Sequence, residues 1–213
     1  MKKLTMALVI GAFVGMLALP QMAAADVKFG IKGGASMANV NGALIDEIKA
    51  DPDTTVKQKV GFCAGIFLEL NFGRILTIQP EVLYTLKGTQ IDYTDGDLTG
   101  TEKLMFDYVE IPLLLKLRLP TGSLHPFIFA GPAIGFNLRS KVKWIEDGES
   151  GEEDIEDFKK FDYSAVIGGG LQLGSSIHLD VRYTIGLQKL IDDELEALDI
   201  KNGVISATLG LAF

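Results

Sequence analysis

Residues 204–213 read Val-Ile-Ser-Ala-Thr-Leu-Gly-Leu-Ala-Phe, and their alternation decides the fold. Val204, Ser206, Thr208, Gly210 and Ala212 are small or weakly polar, whereas Ile205, Ala207, Leu209, Leu211 and Phe213 are all apolar. A period of two puts these sets on opposite faces of a β-strand. The preceding apolar run repeats it, with Ile177, Leu179, Val181, Tyr183, Ile185 and Leu187 on one face and His178, Asp180, Arg182, Thr184 and Gln188 on the other. Further copies are Leu76, Ile78, Val82, Tyr84 and Leu86 against Thr77, Gln79, Glu81 and Thr85, and Val109, Ile111, Leu113, Leu115 and Leu117 against Glu110, Lys116 and Arg118. Helical spacing fits none of these runs.

Continuing outward from that strand, the pattern predicts eight strands at about 27–40, 57–72, 74–92, 103–120, 125–144, 159–174, 176–189 and 202–213. The connections 41–56, 93–102, 145–158 and 190–201 are long and acidic, while 73, 121–124 and 175 are tight turns. Long and short connections therefore lie at opposite ends. Membrane barrels keep short turns at the periplasmic end and longer loops outside, so both ends of the barrel domain are expected in the periplasm.

The first residues agree with export. Lys2 and Lys3 precede an apolar run from Leu4 to Leu19, then Pro20 and Ala23-Ala24-Ala25, the pattern of a secretory signal peptide cleaved before Asp26. The alternative, a retained anchor, asks for an apolar core of ~20 residues, longer than the one present. The expected division is a signal peptide at 1–25 and one barrel domain at 26–213. No later run reaches the ~18 apolar residues of a spanning helix. A chain that enters a membrane without such a helix does so as a closed barrel, because every backbone polar group in lipid must be paired internally. The compartment that takes exported barrels is the Gram-negative outer membrane. Cys63, the sole cysteine, excludes an internal disulfide and is expected to fill space.

A soluble eight-stranded barrel of the lipocalin kind would alternate as well, so the inward face has to be settled by volume. Eight strands leave an interior just wide enough for side chains. One face carries Leu, Ile, Val and Phe on most strands; the other holds Gly30, Gly34, Gly65, Gly131, Ala133, Gly135, Gly168, Gly170, Gly186 and Gly210. Large residues facing lipid and small ones inside is the membrane arrangement. The fold class expected is all-β, an eight-stranded antiparallel transmembrane β-barrel preceded by a cleaved signal peptide.

Several segments, GIKGGASMANV (30–40), IQPEVLYTLKG (78–88), YVEIPLLLKLRL (108–119), PFIFAGPAIGF (126–136) and LDVRYTIGL (179–187), resemble the PorT-type outer-membrane β-barrel family common in Bacteroidetes. The resemblance spans nearly all of the mature chain and implies an outer-membrane barrel. The founding member is linked to a secretion system, which makes secretion components conceivable partners, but the loop sequences match nothing in the family.

The inward phase collects Lys32, Glu69, Glu81, Glu110, Lys116, Arg118, Asp180 and Arg182, four cations and four anions. Buried charges are tolerable only when paired, so a plug of salt bridges is expected, the alternative being a gated path for protons or small ions. Open aqueous channels take sixteen or more strands. The expected loops hold Glu146, Asp147, Glu149, Glu152, Glu153, Asp154, Glu156 and Asp157, then Asp192, Asp193, Glu194, Glu196 and Asp199; cleavage at Asp26 moves the formal charge from −8 to −10. Such loops are expected to be solvated, the alternative being Ca²⁺ or Mg²⁺ shared with lipopolysaccharide. Nucleic acid is excluded as a partner by this charge.

Catalysis has little to work with. Ser176, His178 and Asp180 are the nearest approach to the Ser, His and carboxylate of a lipid hydrolase, but the serine lies in a turn and no oxyanion donor accompanies it. His125 is expected to be structural. Gly168-Gly169-Gly170 lacks the strand-to-helix setting of a phosphate loop and marks a bend or a close approach. The expectation is a protein without cofactor, metal or enzymatic activity, serving envelope integrity, adhesion or secretion-system assembly. A lipid-modifying enzyme and a narrow ion-conducting barrel are the alternatives. Expected partners are outer-membrane lipids, lipopolysaccharide and the barrel-assembly machinery. Phe213, in phase with the lipid-facing residues, is expected to be the assembly machinery's recognition signal.

Overall fold

The computed structural model describes residues 25–41, 54–95, 98–146, 149–154, 160–187 and 201–213. Nine antiparallel strands follow one another: β1 (Ala25–Asn41), β2 (Thr54–Phe72), β3 (Leu76–Asp95), β4 (Leu98–Arg118), β5 (Leu124–Glu146), β6 (Glu149–Asp154), β7 (Phe161–Leu173), β8 (Ile177–Gly186) and β9 (Lys201–Ala212). Among the described residues each strand but β6 pairs with both of its neighbours around the ring, β6 pairs only with β5, β5 pairs on to β7, and β9 returns to β1, so that eight staves close into a ring. The closing seam runs from Gly30↔Ala212 to Asn41↔Lys201. No unpaired edge is left in the wall, as lipid requires. Residues 1–24, within the expected signal peptide, and the acidic run 192–199 lie outside the described residues.

Three glycines, Gly73, Gly122 and Gly174, have φ of 68°, 60° and 59° and sit in the short turns of one end. A left-handed residue lets each strand reverse within a few residues, which glycine does without a Cβ clash. The turns at 73 and 175 are slightly longer than expected, spanning Gly73–Ile75 and Gly174–Ser176.

At the other end the strands are longer than the sequence pattern suggested. The stretch 93–102, expected as a loop, is strand on both sides up to Asp95↔Leu98. The expected loop 145–158 contains β6, which pairs with β5 from Lys141↔Asp154 to Glu146↔Glu149. Strands β2 to β6 thus continue beyond the lipid-facing band as a collar.

A bulge sets the collar's chemistry. Tyr108 faces Asn137 but Asp107 faces Arg139, so Leu138 is an extra residue in β5. Alternation in β5 therefore changes phase there. Below the bulge Phe127 and Phe129 are buried, and above it Ser140 is buried.

Burial follows the expected phase. Ile31, Ile66, Val82, Leu115, Ile128, Ile167, Val181, Ile205 and Leu209 are exposed on the wall, while Ser206 and Thr208 are buried. The interior, however, is not merely small. Phe67, Tyr108, Leu114, Phe127 and Phe129 are all buried. The inward glycines are the cups in which these rings lie: a Cβ at Gly30 would strike the Phe67 ring, one at Gly168 the Phe129 ring at 2.5 Å, and one at Gly170 the Phe127 ring at 2.7 Å.

A side chain at Gly30 must therefore expel Phe67. Gly30→Val is expected to destabilise the barrel by roughly 1–3 kcal/mol, as overpacking does, read as a lower urea midpoint in detergent. Gly33→Val, whose Cβ would meet nothing nearer than 3.6 Å, should be close to neutral.

Candidate functional site: the charged lumen

The structure places all eight sequence-predicted charges on the inner wall. The middle of the lumen holds a ring of four. Lys32 Nζ donates to Glu81 at 2.8 Å and Asp180 at 3.1 Å. From the far side, Arg182 donates to Glu81 at 2.6 Å and through Nε to Asp180 at 3.0 Å. Each charge thus has two opposite partners. Thr208 donates to Asp180 at 2.8 Å and Gln79 to Glu81 at 2.5 Å, completing the carboxylates' shells.

Toward the end that carries the short turns lies a second layer. Lys116 donates to Glu69 at 2.6 Å and approaches His178 Nδ1 at 3.5 Å. Arg118 donates to Asn71 at 2.9 Å and Thr77 at 3.1 Å rather than to a carboxylate. The third layer, toward the exterior, was not foreseen in full: Lys87 pairs with Glu110 at 2.8 Å and with Asp162 at 3.9 Å. Thr85 also donates to Glu110, at 2.9 Å. Lys87 continues the odd-numbered inward phase of Thr77, Gln79, Glu81 and Thr85, so the signal was present in the sequence.

Four of the cations also rest on rings. Lys32 lies 5.4 Å from the Phe67 centroid, Lys87 4.5 Å from Tyr108, Lys116 4.6 Å from Phe127 and Arg182 5.2 Å from Phe129. Desolvated cation–π contacts contribute about 2 kcal/mol or more each. The result is a repeated stack of glycine, ring and cation, with a carboxylate closing each one.

Between the middle and outer layers a void of about 10 Å³ is lined by Cys63, Thr85, Glu110, Ala133, Arg182 and Ser206 among others. It has room for about one water. Below it Phe67, Phe127 and His178 pack at 5.6–6.2 Å between ring centroids and fill the periplasmic half. Cys63 is buried beside this void, in the space-filling position expected of it.

The other candidates are placed as follows. His178 and Asp180 are buried in the lumen, whereas Ser176 sits in an exposed turn, so the three do not meet at the lipid interface. Among the described residues no three His, Cys, Asp or Glu side chains could hold a metal ion. Part of the expected acidic loop is neutralised by β5, since Lys141 pairs with Glu152. Phe213 points outward, 72% exposed, and its N–H donates to the Phe29 carbonyl.

A closed ring of eight staves, an apolar outer wall and charges confined to the lumen define a membrane β-barrel. The family profile of the outer membrane protein beta-barrel domain matches residues 20–192, and the chain belongs to that family, which places it in the outer membrane. Among solved structures it is similar to Ail, the attachment invasion locus protein of Yersinia pestis, in complex with the heparin analogue sucrose octasulfate, at 16% identity over 88% of this chain and 99% of that one, with a TM-score of 0.43. Neisserial surface protein A is similar at 13% identity over 87% and 97% with a TM-score of 0.46. OprG from Pseudomonas aeruginosa is similar at 13% identity over 90% and 98% with a TM-score of 0.43. No curated protein sequence matches the chain.

Removing one member of the central ring leaves an uncompensated buried charge. Arg182→Met is expected to cost about 3–5 kcal/mol, measured by urea unfolding in detergent micelles. Adding Glu81→Gln should recover part of that loss, giving a coupling energy well outside error in the double-mutant cycle.

Proposed function

We propose that the protein is a non-enzymatic outer-membrane barrel that holds a β-sheet collar out from the cell, serving adhesion or envelope integrity by contact with partners outside. The observation that carries this reading is the contrast between a filled lumen and the extended collar. Among the described residues four ring–cation stacks fill the lumen around a void of about 10 Å³, so the interior supports the wall. The chain meanwhile invests the outer parts of β3, β4 and β5 and all of β6 in a structure with no role in spanning lipid.

The collar has two different faces. Register with buried Phe106 and Ser140 puts Ile91, Tyr93, Leu104, Val142 and Trp144 on its concave side, all partly exposed. Lys103, Arg139, Lys141 and Lys143 alternate with them on the convex side. Two glycines continue the lumen's packing rule here: a Cβ at Gly100 or Gly151 would strike Tyr93 or Trp144 on the paired strand. Fixed aromatic side chains lose little entropy on binding and suit recognition.

Replacing 141–154 by a two-residue turn tests this directly. The shortened barrel is expected to keep its heat-modifiable gel mobility while cells expressing it lose attachment to surfaces or host matrix. Lipid A from a deletion strain should have unchanged acylation by mass spectrometry; a changed pattern would replace this reading with that of a lipid-modifying enzyme. A secretion defect in that strain would favour the role suggested by the PorT-type resemblance.

Phe213 completes the proposal, as the residue through which the assembly machinery recognises the last strand. Phe213→Ala is expected to accumulate as unfolded precursor in the periplasm while the purified variant still refolds in detergent. Wild-type amounts in the outer membrane would rule the recognition role out.

A further inference from the structure

Lys103 and Lys143 are register partners on β4 and β5. Like charges directly opposite one another on a sheet destabilise it, yet neither lysine has an ion pair among the described residues. The acidic groups around them are engaged elsewhere. Glu152, the register partner of Lys143 on the other side, pairs with Lys141. Asp107 is the register partner of Arg139. Asp92 accepts from Gln90 at 2.8 Å and from Thr101 at 2.9 Å. Among the described residues two adjacent lysines are thus left without a counter-charge on the convex face.

Their height identifies what they meet. The apolar outer wall ends at a belt of aromatic residues: Tyr84 packs on Phe62 at 6.0 Å and Phe136 on Phe161 at 5.2 Å. Such belts mark the boundary between hydrocarbon and headgroups. Lys103 lies four residues beyond Asp107 along β4, about 13 Å at the rise of a strand, or about 10 Å along the membrane normal at the usual tilt. That is the polar layer of the outer leaflet, on the side of the wall facing neighbouring lipids.

We propose that Lys103 and Lys143 form a binding site for the phosphorylated sugar headgroup of an outer-leaflet glycolipid, a phosphate bridging the two ammonium groups, with Arg139 flanking it nearer the hydrocarbon boundary. Charge complementarity selects the ligand. An anion between the lysines converts a cross-strand repulsion into two charge-assisted hydrogen bonds, and the leaflet presents phosphates at this level around the whole barrel. The site docks one lipid against β4 and β5 and ties the base of the collar to the membrane surface.

The test uses the whole barrel refolded into phosphatidylcholine vesicles containing diphosphoryl lipid A, dephosphorylated lipid A or phosphatidylglycerol, with the thermal unfolding midpoint read by gel mobility. The wild type is expected to unfold at a higher temperature with diphosphoryl lipid A than with either other lipid. Lys103→Gln/Lys143→Gln should lose most of that increment, and Lys103→Arg/Lys143→Arg should retain it. Lys28→Gln, at the periplasmic end of β1, controls for loss of a cation elsewhere and should retain the increment. The proposal is overturned if the double glutamine variant, folded by the same gel criterion, keeps the full increment, if the wild type shows none, or if phosphatidylglycerol gives the same increment.

Discussion

A cation inside an eight-stranded barrel has almost no water to hold it, and the rest of the lumen is arranged around that constraint. Neutralisation by a carboxylate alone leaves part of an ammonium or guanidinium group desolvated. Here the aromatic faces of Phe67, Tyr108, Phe127 and Phe129 supply the second partner. Rings of that size fit only where the register partner on the neighbouring strand gives way, which is why glycines recur at 30, 168 and 170, opposite Phe67, Phe129 and Phe127. The lumen's composition is therefore one solution to two demands, charge and volume, rather than a polar interior with gaps.

Alternation along the strands was enough to read the barrel, its closure and its inward charges, because the side-chain period of a strand is fixed by geometry. The rings were harder to see. Glycines on the inner phase reveal that space is left, whereas identifying its occupants requires knowing which strands lie opposite. Phe127 and Phe129 share the phase of Gly131 and Gly135 and were identifiable in principle; Phe67 similarly shares that of Gly65. Lys87 and Asp162 fall within the expected strands 74–92 and 159–174 and on their inward phase, so alternation alone made both legible. The pairing of β6 with β5 was hidden by its acidity, since Glu152 and Glu153 read as solvated when the lysines of β5 are not set beside them.

A solid interior shifts the functional burden to the exterior, where the architecture shared with other small barrels carries little information. The same stave arrangement accommodates unrelated activities because the wall is common and the parts above it are not. In this chain the parts above it are continuous with the wall, hydrogen-bonded strand to strand as far as Asp95, Leu98, Glu146 and Glu149. Position and orientation of the collar are thus inherited from the barrel.

The extra residue at Leu138 sits where that inheritance begins. In the membrane β5 shows its greasy side to the outside, and an unbroken beat through the same residues would carry Arg139, Lys141 and Lys143 into the mouth and turn Val142 and Trp144 toward water. Leu138 and Arg139 instead both turn outward, at the height where the surroundings change from oil to water. Losing the Leu138 codon would straighten the strand and leave every other side chain on its present face. A barrel of this kind can therefore take up or shed one residue at that height without exchanging the two faces of its collar.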